Sequence, residues 1–301
     1  MTQNTKTGSA LIEHTDDPVL FKALIQKPDV AWPTVMLLAA AYMIFGASSF
    51  AYIHGALPLF WAMLLNATAT YLAFTVAHEA THSTVCNNRR WNDWAGRAGT
   101  ALLEPGPFFL VFRFIHMRHH RFTNDAAKDP DAYCGTGPKW LYLFKWLTLD
   151  VVYFKTYLKP EVFNKRPNSE RREFYLSVLF AVAVITTFTL VGWLGYYLLL
   201  FFLPTRIAKL FIVIAFDFLP HYPHQSNAKD EPYQCTSNRV GMEWLLTPIF
   251  IYQNYHLVHH LYPTVPFFRY LKVWNAKKDF HLSQNPAIID AFALNPRARR
   301  D

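Results

Sequence analysis

Four long apolar segments alternate with polar stretches along the chain, over residues 33–53, 56–77, 174–193 and 196–219. Each comes close to the ~20 apolar residues that a helix needs to cross a bilayer. Residues 54–55 separate the first two segments and residues 192–195 the last two, so each pair is predicted to form a tight helical hairpin. The pattern predicts an all-α integral membrane protein with four transmembrane helices in two hairpins, and with both chain ends on one side.

The rest of the chain is divided around these segments. Residues 1–29 are predicted as a cytoplasmic N-terminal segment without a secretory signal, residues 30–275 as the membrane domain and residues 276–301 as a cytoplasmic tail. Two further apolar stretches, 102–115 and 140–154, are too short or too interrupted to cross a bilayer. We expect them to lie at the interface or to re-enter the membrane, as a helical cap over the cytoplasmic ends of the spans.

Lysine and arginine are distributed unevenly around the four segments. Fifteen fall in residues 83–172, nine after residue 219 and three in the N-terminal segment, while the two hairpin turns hold none. Short cytoplasmic loops of membrane proteins collect positive charge. The pattern therefore predicts that both termini and the long central loop face the cytoplasm, and we assign the chain to a bacterial inner membrane.

Histidine is the chemically informative residue of this otherwise apolar chain. Eight of the thirteen histidines fall in three clusters on the predicted cytoplasmic side: His78 and His82; His116, His119 and His120; and His256, His259 and His260. Residues three or four apart on a helix share a face, and imidazole is the commonest metal-binding side chain. Eight ligands are too many for one tetrahedral ion. Two metal ions with open positions fit better, and imidazole suits iron among other transition metals.

Two other interpretations of the histidines have to be weighed. Residues 78–82 read H-E-A-T-H, which matches the H-E-x-x-H pattern of zinc peptidases with Glu79 as the base, but this function leaves two clusters unexplained. A non-enzymatic metal transporter would line a path across the membrane, whereas these clusters gather on one side. The isolated His14, His54 and His281 are expected to face headgroups and to take no part in a metal site.

The order H-x-x-x-H, H-x-x-H-H, H-x-x-H-H around four spans resembles the membrane fatty acid desaturase and hydroxylase superfamily over residues 30–275. Three phrases are most similar to its β-carotene ring hydroxylase branch and, less closely, to the ketolases: TND followed by DPD in residues 123–131, FDFLPH in 216–221, and QNYH followed by PTVP in 253–266. The resemblance implies a centre of two iron ions that uses O2 as co-substrate, with no catalytic residue beyond the metal centre.

The resemblance also implies roles for single residues. The eight clustered histidines would be iron ligands, and His221 matches the extra histidine that the family contributes after the fourth span. Asp217, one helical turn earlier, could reach the iron through water. His224 is either a partner of a ligand or a loop histidine; Asp125, with Asp129 and Asp131, could orient imidazoles or form an ordinary turn.

The implied reaction is O2-dependent oxidation of a lipid C–H bond. Hydroxylation of a β-carotene ring is the leading hypothesis, with fatty-acyl desaturation or hydroxylation as the alternative and an intramembrane zinc peptidase as a distant one. Arg206 and Lys209, inside the fourth apolar segment, are costly in hydrocarbon and are expected to face a cavity, a partner, water or a polar headgroup. If the segment instead breaks at Pro204, they could extend to the interface.

Electrons are expected to come from a separate protein. The sequence contains no G-x-G-x-x-G after a strand and no C-x-x-C-H haem site, and its cysteines, Cys86, Cys134 and Cys235, match no iron-sulfur pattern. A ferredoxin that binds the basic cytoplasmic face is the simplest donor, in agreement with the net charge of +8. No nucleic-acid motif is present.

Overall fold

The computed structural model describes residues 16–297, and most of them are helical. The first five helices are α1 (Pro18–Ile25), α2 (Trp32–Ile53), α3 (Leu59–Thr81), α4 (Arg89–Ala101) and α5 (Phe109–Phe122). The central part contains α6 (Tyr142–Leu147), α7 (Leu149–Tyr157), α8 (Pro160–Phe163), α9 (Asn168–Leu190), α10 (Leu194–Tyr197) and α11 (Leu203–Ile212). The C-terminal part contains α12 (Glu243–Ile249), α13 (His256–Leu261), α14 (Tyr270–Ala276) and α15 (Lys278–Ser283). Short 3-10 helices cover Pro130–Cys134, Lys139–Leu141 and Phe267–Arg269.

Within residues 16–297, four helices are long and apolar enough to cross a membrane, as the sequence predicted: α2, α3, α9 and a continuous helix over Leu194–Phe218. The four spans differ in how many residues of their apolar part are buried. The buried share is 17% for α2 and 11% for α9, against 56% for α3 and 44% for Leu194–Phe218. α3 and the fourth span therefore form the inner pair, and α2 and α9 present apolar side chains outward, as expected for surfaces in lipid. The prediction of an all-α integral membrane protein is confirmed.

Both hairpin turns contain a glycine in the left-handed region. Gly55 has φ +74° and Gly192 has φ +76°, and the exposed side of each turn is open, with no atom near a Cβ placed there. A side chain at such a φ would strain the backbone. Glycine thus permits the short reversals that keep α2 beside α3 and α9 beside the fourth span.

The fourth span contains two π-helical segments, Leu198–Phe202 and Val213–Phe218, and it stays helical through Pro204. The alternative in which the span breaks at Pro204 is therefore wrong. A π-turn leaves backbone groups without their usual partners. Here the buried Asn66 of α3 donates a hydrogen bond of 2.7 Å to the carbonyl of Leu200, so a polar side chain of a neighbouring span provides a partner for one backbone group of the first π segment.

The turn between α4 and α5 reaches deep into the helical bundle. The hydroxyl of Thr70, in the middle of α3, donates to the carbonyl of Leu102 at 3.1 Å. From α9, Ser177 donates to the carbonyl of Pro107 at 3.2 Å. The α4–α5 segment therefore re-enters to the depth of the spans, which is one of the two arrangements that the sequence allowed.

A small parallel sheet, which the sequence analysis did not predict, joins two distant parts of the C-terminal region. Strand β1 (Ser237–Val240) pairs with β2 (Ala287–Asp290), with Ser237 opposite Ala287. β2 falls within the segment assigned to the cytoplasmic tail, so part of that segment packs on the region that carries the third histidine cluster. The domain boundary after residue 275 stays a prediction, and the first 15 residues, including His14, lie outside the described part.

Candidate metal centre

All nine histidines proposed as ligands converge in one region of the structure. Their ring nitrogens fall into two sets of four, and within each set the nitrogens lie within 4.8 Å of one another. The first set consists of His78, His82, His116 and His259. The second set consists of His119, His221, His256 and His260. His120 lies between the two sets, because it groups with His259 and His260.

Each cluster is presented by a helix end or a short helix. His78 is in the last turn of α3 and His82 is its C-cap, so the two imidazoles are one turn apart on the same face. The second cluster ends α5, and the third fills most of the six-residue α13. His221 follows the second π segment of the fourth span. The four elements meet only in the tertiary structure.

The imidazole nitrogens of different clusters face one another at hydrogen-bond distance. The Nε2 atoms of His82 and His116 are 2.8 Å apart, those of His120 and His259 are 2.9 Å apart, and those of His119 and His260 are 3.3 Å apart. Buried Nε2 atoms of His78, His221 and His256 have no hydrogen-bond partner in the described part of the chain. A metal ion would provide the partner that such convergent nitrogens lack, because a neutral imidazole binds a metal through its unprotonated ring nitrogen.

Burial keeps most of these imidazoles neutral. It lowers the pKa of His82 to about 3, with a further contribution from a charged His119. The pKa values of six others are also lowered well below the ordinary range, first by burial and then by neighbouring histidines: His116, His120, His221, His256, His259 and His260. The neutral ring is the form that binds a metal ion. The donor set therefore fits two nitrogen-ligated ions.

The exception is His119, whose outer nitrogen faces two carboxylates. Nδ1 lies 3.0 Å from Oδ1 of Asp129 and 3.2 Å from Oδ2 of Asp131. Burial lowers the pKa of His119, but the charges of Asp129 and Asp131 outweigh burial and raise it to about 9. A carboxylate on the outer nitrogen fixes the proton on Nδ1 and directs Nε2 toward the other histidines.

Three more of the proposed ligands have their outer nitrogens held in the same way. Nδ1 of His259 lies 2.9 Å from the hydroxyl of Tyr270, Nδ1 of His256 lies 2.7 Å from Oε1 of Gln253, and Nδ1 of His221 lies 3.3 Å from the carbonyl of Cys235. Outer-nitrogen partners of this kind are typical of metal-bound histidine. Gln253 precedes His256 by three residues, so the sequence spacing could have suggested this contact. Nothing in the local sequence indicated that Tyr270 is the partner of His259.

Glu79 is not directed at a reacting position. Its Oε2 accepts hydrogen bonds from the backbone nitrogen of Phe267 at 3.1 Å and from the hydroxyl of Thr84 at 3.0 Å. Its Oε1 accepts from the hydroxyl of Tyr270 at 3.5 Å, so the carboxylate supports the histidine partner from behind. A peptidase base has to present an oxygen to the metal-bound water, whereas both oxygens of Glu79 accept hydrogen bonds from other groups. This geometry argues against the zinc peptidase.

The remaining candidate residues, Asp217, His224 and Asp125, have three different surroundings. Asp217 lines the cavity that contains His119 and His256. His224 is half-buried and its Nδ1 lies 3.3 Å from Oδ1 of Asn124. Asp125 bonds the backbone nitrogens of Ala127 and Lys128. Among the described residues, neither Asp125 nor His224 makes a hydrogen bond to a clustered histidine, so the orienting role falls to Asp129 and Asp131.

His281 differs from the expectation of a histidine at the headgroups. It is fully buried, its ring stacks on Trp274 with centroids 4.9 Å apart, and its Nδ1 lies 3.1 Å from the hydroxyl of Tyr233. The expectation was wrong because the C-terminal helices fold back onto the domain. His54 is exposed in the outer turn, as expected.

A cavity adjoins the histidines on the side of the fourth span. Its wall includes four of the clustered histidines, the aromatic rings of Phe74, Phe112, Trp146, Tyr153 and Phe216, and the charged side chain of Lys209. Arg206 and Lys209 were expected to face a cavity, a partner or a headgroup. They pair with Asp150, whose Oδ2 lies 2.6 Å from Arg206 and 2.7 Å from Lys209, and Lys209 also pairs with Glu104 at 2.5 Å.

A sequence model described as fatty acid desaturase matches residues 55–290. Among characterised proteins, the β-carotene ketolase of Paracoccus sp. (strain PC1) is 28% identical over 213 residues, which cover 69% of this chain and 77% of the ketolase.

Two lipid desaturases are similar at comparable levels. The sphingolipid delta(4)-desaturase of Bos taurus is 24% identical over 267 residues, covering 80% of this chain and 72% of that protein. The sn-1 acyl-lipid omega-3 desaturase (ferredoxin) of Synechocystis sp. (strain ATCC 27184 / PCC 6803 / Kazusa) is 23% identical over 255 residues, covering 73% and 67%.

Proposed function

Because the chain belongs to the fatty acid desaturase family, we propose that it hydroxylates a ring carbon of a carotenoid such as β-carotene, using two iron ions and O2. The chain is a membrane oxidoreductase acting on lipids or carotenoids. The observation that carries the finer proposal is the pair of four-histidine sets beside an aromatic cavity within the bundle. The nine histidines would hold the two ions, one set for each ion, with His120 between them.

The ketolase relative is compatible with ring hydroxylation. The overall reaction R–H + O2 + 2 e⁻ + 2 H⁺ → R–OH + H2O inserts one oxygen atom and reduces the other to water. A second hydroxylation at the same carbon gives a geminal diol, which loses water to become a ketone. Hydroxylation and ketone formation on a ring therefore share one elementary step and differ in how often it is repeated.

The chain's own residues supply position and shielding. Iron, when bound, supplies the activation of O2 that an unactivated C–H bond requires, since no acidic proton or leaving group is available to side chains. Asp129, Asp131, Gln253 and Tyr270 orient imidazoles through the outer nitrogens. Phe74, Phe112 and Phe216 line the adjoining cavity with apolar surface, which suits a hydrocarbon ring and excludes water.

A ferredoxin is the proposed electron donor, and a groove on α5 is its proposed docking site. The groove encloses about 380 Å³ and is lined by Arg113, Arg118, Arg121, Arg166 and Glu170, among others. Asp93 pairs with Arg113 and Glu170 with Arg166, which leaves two arginines uncompensated by carboxylates among the described residues. The histidines of the second cluster are on the same helix, so electrons entering here would cross little more than α5. An acidic carrier suits this surface.

The test is to express the chain with a ferredoxin and its reductase in bacteria that accumulate β-carotene, and to identify the pigments by mass and retention. Hydroxylated or keto rings are expected, and the His119→Ala variant, as a matched control, should leave β-carotene unchanged. Unmodified pigment together with unmodified membrane lipids would refute the proposal.

Fatty-acyl desaturation or hydroxylation is the second candidate, since two relatives are by name lipid desaturases, one of a sphingolipid and one of an acyl lipid. Analysis of the host's fatty acids in the same cells distinguishes the two. New double bonds or hydroxyl groups in acyl chains, with β-carotene unchanged, would assign the enzyme to acyl lipids.

A further inference from the structure

Lys209 stands on the wall of two adjoining cavities. The first contains the clustered histidines His78, His116, His119 and His256. The second extends toward Leu103 and Phe108, and it shares with the first the side chains of Phe74, Phe112, Asp150, Tyr153 and Lys209. A lipid bound next to the histidines and continuing into the second cavity would therefore pass beside the Lys209 ammonium group.

Two carboxylates hold the Lys209 ammonium group in place, and they use two of its three N–H donors. Lys209 is only 8% exposed, and its Nζ donates to Oε1 of Glu104 at 2.5 Å and to Oδ2 of Asp150 at 2.7 Å. An ammonium group has three N–H donors. Among residues 16–297, Nζ makes no third hydrogen bond, so one donor is free to bind a ligand in the cavity.

The charges around Lys209 select the kind of ligand. Lys209 and Arg206 carry two positive charges, and Glu104 and Asp150 carry two negative ones, all joined by ion pairs of 2.5–2.7 Å. The cluster is neutral as a whole. A phosphate or carboxylate would meet the two carboxylates at close range, which is unfavourable in a low-dielectric environment. A neutral oxygen that accepts one hydrogen bond meets no such repulsion.

Ion pairing alone is a weak reason for charges at this depth. Charged side chains within a span are costly, and they usually face a cavity or pathway with a function. Replacement of a buried ion pair by apolar residues is often neutral or stabilising, so the pair adds little to the stability of the bundle. Its position on the cavity wall points instead to an interaction with what the cavity holds.

We propose that Lys209 donates a hydrogen bond to a neutral hydroxyl or carbonyl oxygen of the lipid, so that the preferred substrate is already oxygenated near the carbon that is oxidised. This inference rests on the proposed function. On a carotenoid the oxygen belongs to the ring that is attacked, and another ring oxygenation must precede this one. On an acyl lipid it is the ester or amide carbonyl.

Carotenoids with one oxygenated and one bare ring provide an internal competition. β-Cryptoxanthin carries a hydroxyl at ring carbon 3, and echinenone carries a ketone at ring carbon 4, so one of them leaves the attacked carbon free whichever it is. The wild-type enzyme is incubated with each, with ferredoxin and reductase, and mass fragmentation identifies the ring that gains oxygen. We expect attack on the oxygenated ring to be favoured about tenfold in at least one of them, the worth of one buried hydrogen bond.

The matched variant is Lys209→Met combined with Glu104→Gln, which removes one charge of each sign and leaves Arg206 paired with Asp150. The ratio of attack on the two rings should fall toward one in this variant and remain high in Lys209→Arg. Because a ratio is measured within one molecule, a general loss of activity or of folded protein does not change it. Equal attack on both rings by the wild-type enzyme, or an unchanged ratio in the double variant, would overturn the inference while ring oxidation stands.

If only acyl lipids are oxidised, the carotenoid proposal fails and the inference is tested separately. An acyl ester and a 1-alkene of the same chain length are then compared. A preference for the ester that the double variant loses would support the role of Lys209. Equal oxidation of ester and alkene would overturn it.

Discussion

The hydroxyl of Tyr270 lies 2.9 Å from Nδ1 of His259 and 3.5 Å from Oε1 of Glu79. The first and third histidine clusters are thus joined behind the proposed metal site, through a tyrosine on α14. With Nε2 of His259 directed at the other imidazoles, Nδ1 carries the proton and donates a hydrogen bond to the tyrosine oxygen, and the tyrosine hydroxyl donates a hydrogen bond to Glu79. Glu79 therefore supports a proposed ligand and is not placed to act as a base.

Tyr270→Phe should weaken iron binding while leaving the fold intact. The variant removes the acceptor of His259 and one donor to Glu79, and loss of such a partner typically costs about 10- to 100-fold in metal affinity. Iron bound per chain, titrated with a competing chelator, measures the effect. Tyr262→Phe, which alters a hydroxyl outside the centre, is the control, and equal affinities in the two variants would show that Tyr270 has no such role.

Asp129→Asn should lower iron occupancy, and Asp125→Asn should not. The carboxylate of Asp129 faces Nδ1 of His119 at 3.0 Å, whereas Asp125 bonds only a neighbouring turn and Lys128. The substitutions are the same and the residues are four apart, so metal content at limiting iron separates an orienting role from a general effect on this loop. A deficit of about tenfold or more is expected for Asp129→Asn alone.

The purified protein should contain two iron ions per chain. His259→Ala should lose iron and turnover, since His259 contributes to one four-histidine set and contacts His120. The exposed His54 in the outer turn gives the control, because His54→Ala should keep both. Elemental analysis that finds one zinc ion and no iron would contradict the assignment and revive the peptidase.

Arg121→Glu should raise the KM for ferredoxin. Arg121 is exposed in the groove on α5, and reversal of its charge weakens the attraction of an acidic carrier, by about three- to tenfold for a rim charge at low salt. The KM should change more than kcat, and the difference should shrink as ionic strength rises. Lys229→Glu makes the same charge change outside the groove; an equal rise in KM for that variant would mean that the groove is not the docking site.

Gly99→Ala should destabilise the bundle. A Cβ at Gly99 would lie 2.7 Å from the carbonyl oxygen of Ala73 and 2.9 Å from the nitrogen of Ala77, so α4 would be pushed away from α3 just before His78. Overpacking of this kind costs about 1–3 kcal/mol. The melting temperature in detergent should fall, while Gly46→Ala, on α2 with open space around it, should leave it unchanged or slightly higher.

Local patterns in the sequence were enough to predict the spans and the histidine clusters. A run of ~20 apolar residues has few alternatives to a membrane helix, and imidazoles at helical spacing must share a face. The ends of the spans differ from the prediction by up to six residues, as for Asn168–Leu190 against 174–193, because polar residues such as Glu170 and Glu173 continue the helix beyond the apolar part.

The partners of the charged and histidine side chains could not be predicted, because single contacts between distant residues leave no periodic trace. Lys209 pairs with Asp150 across 59 residues and with Glu104 across 105. The sheet was equally hidden, since its two strands have four residues each and lie about fifty residues apart. The sequence offered Asp125, Asp129 and Asp131 alike as residues that could orient an imidazole. Only the tertiary structure shows that Asp129 contacts His119 and that Asp125 does not.

The small sheet implies that the third histidine cluster is supported only late in the synthesis of the chain. The helix with the last three histidines has six residues, too few to be stable alone, and it is held through the carbonyl of Asn254, which accepts a hydrogen bond of 2.6 Å from the nitrogen of Arg239 on β1. β1 in turn pairs with residues up to Asp290. A nascent chain that has emerged to residue 270 carries every proposed ligand, yet it lacks the strand that supports the third cluster. Iron loading is therefore expected to follow both membrane insertion and the synthesis of β2.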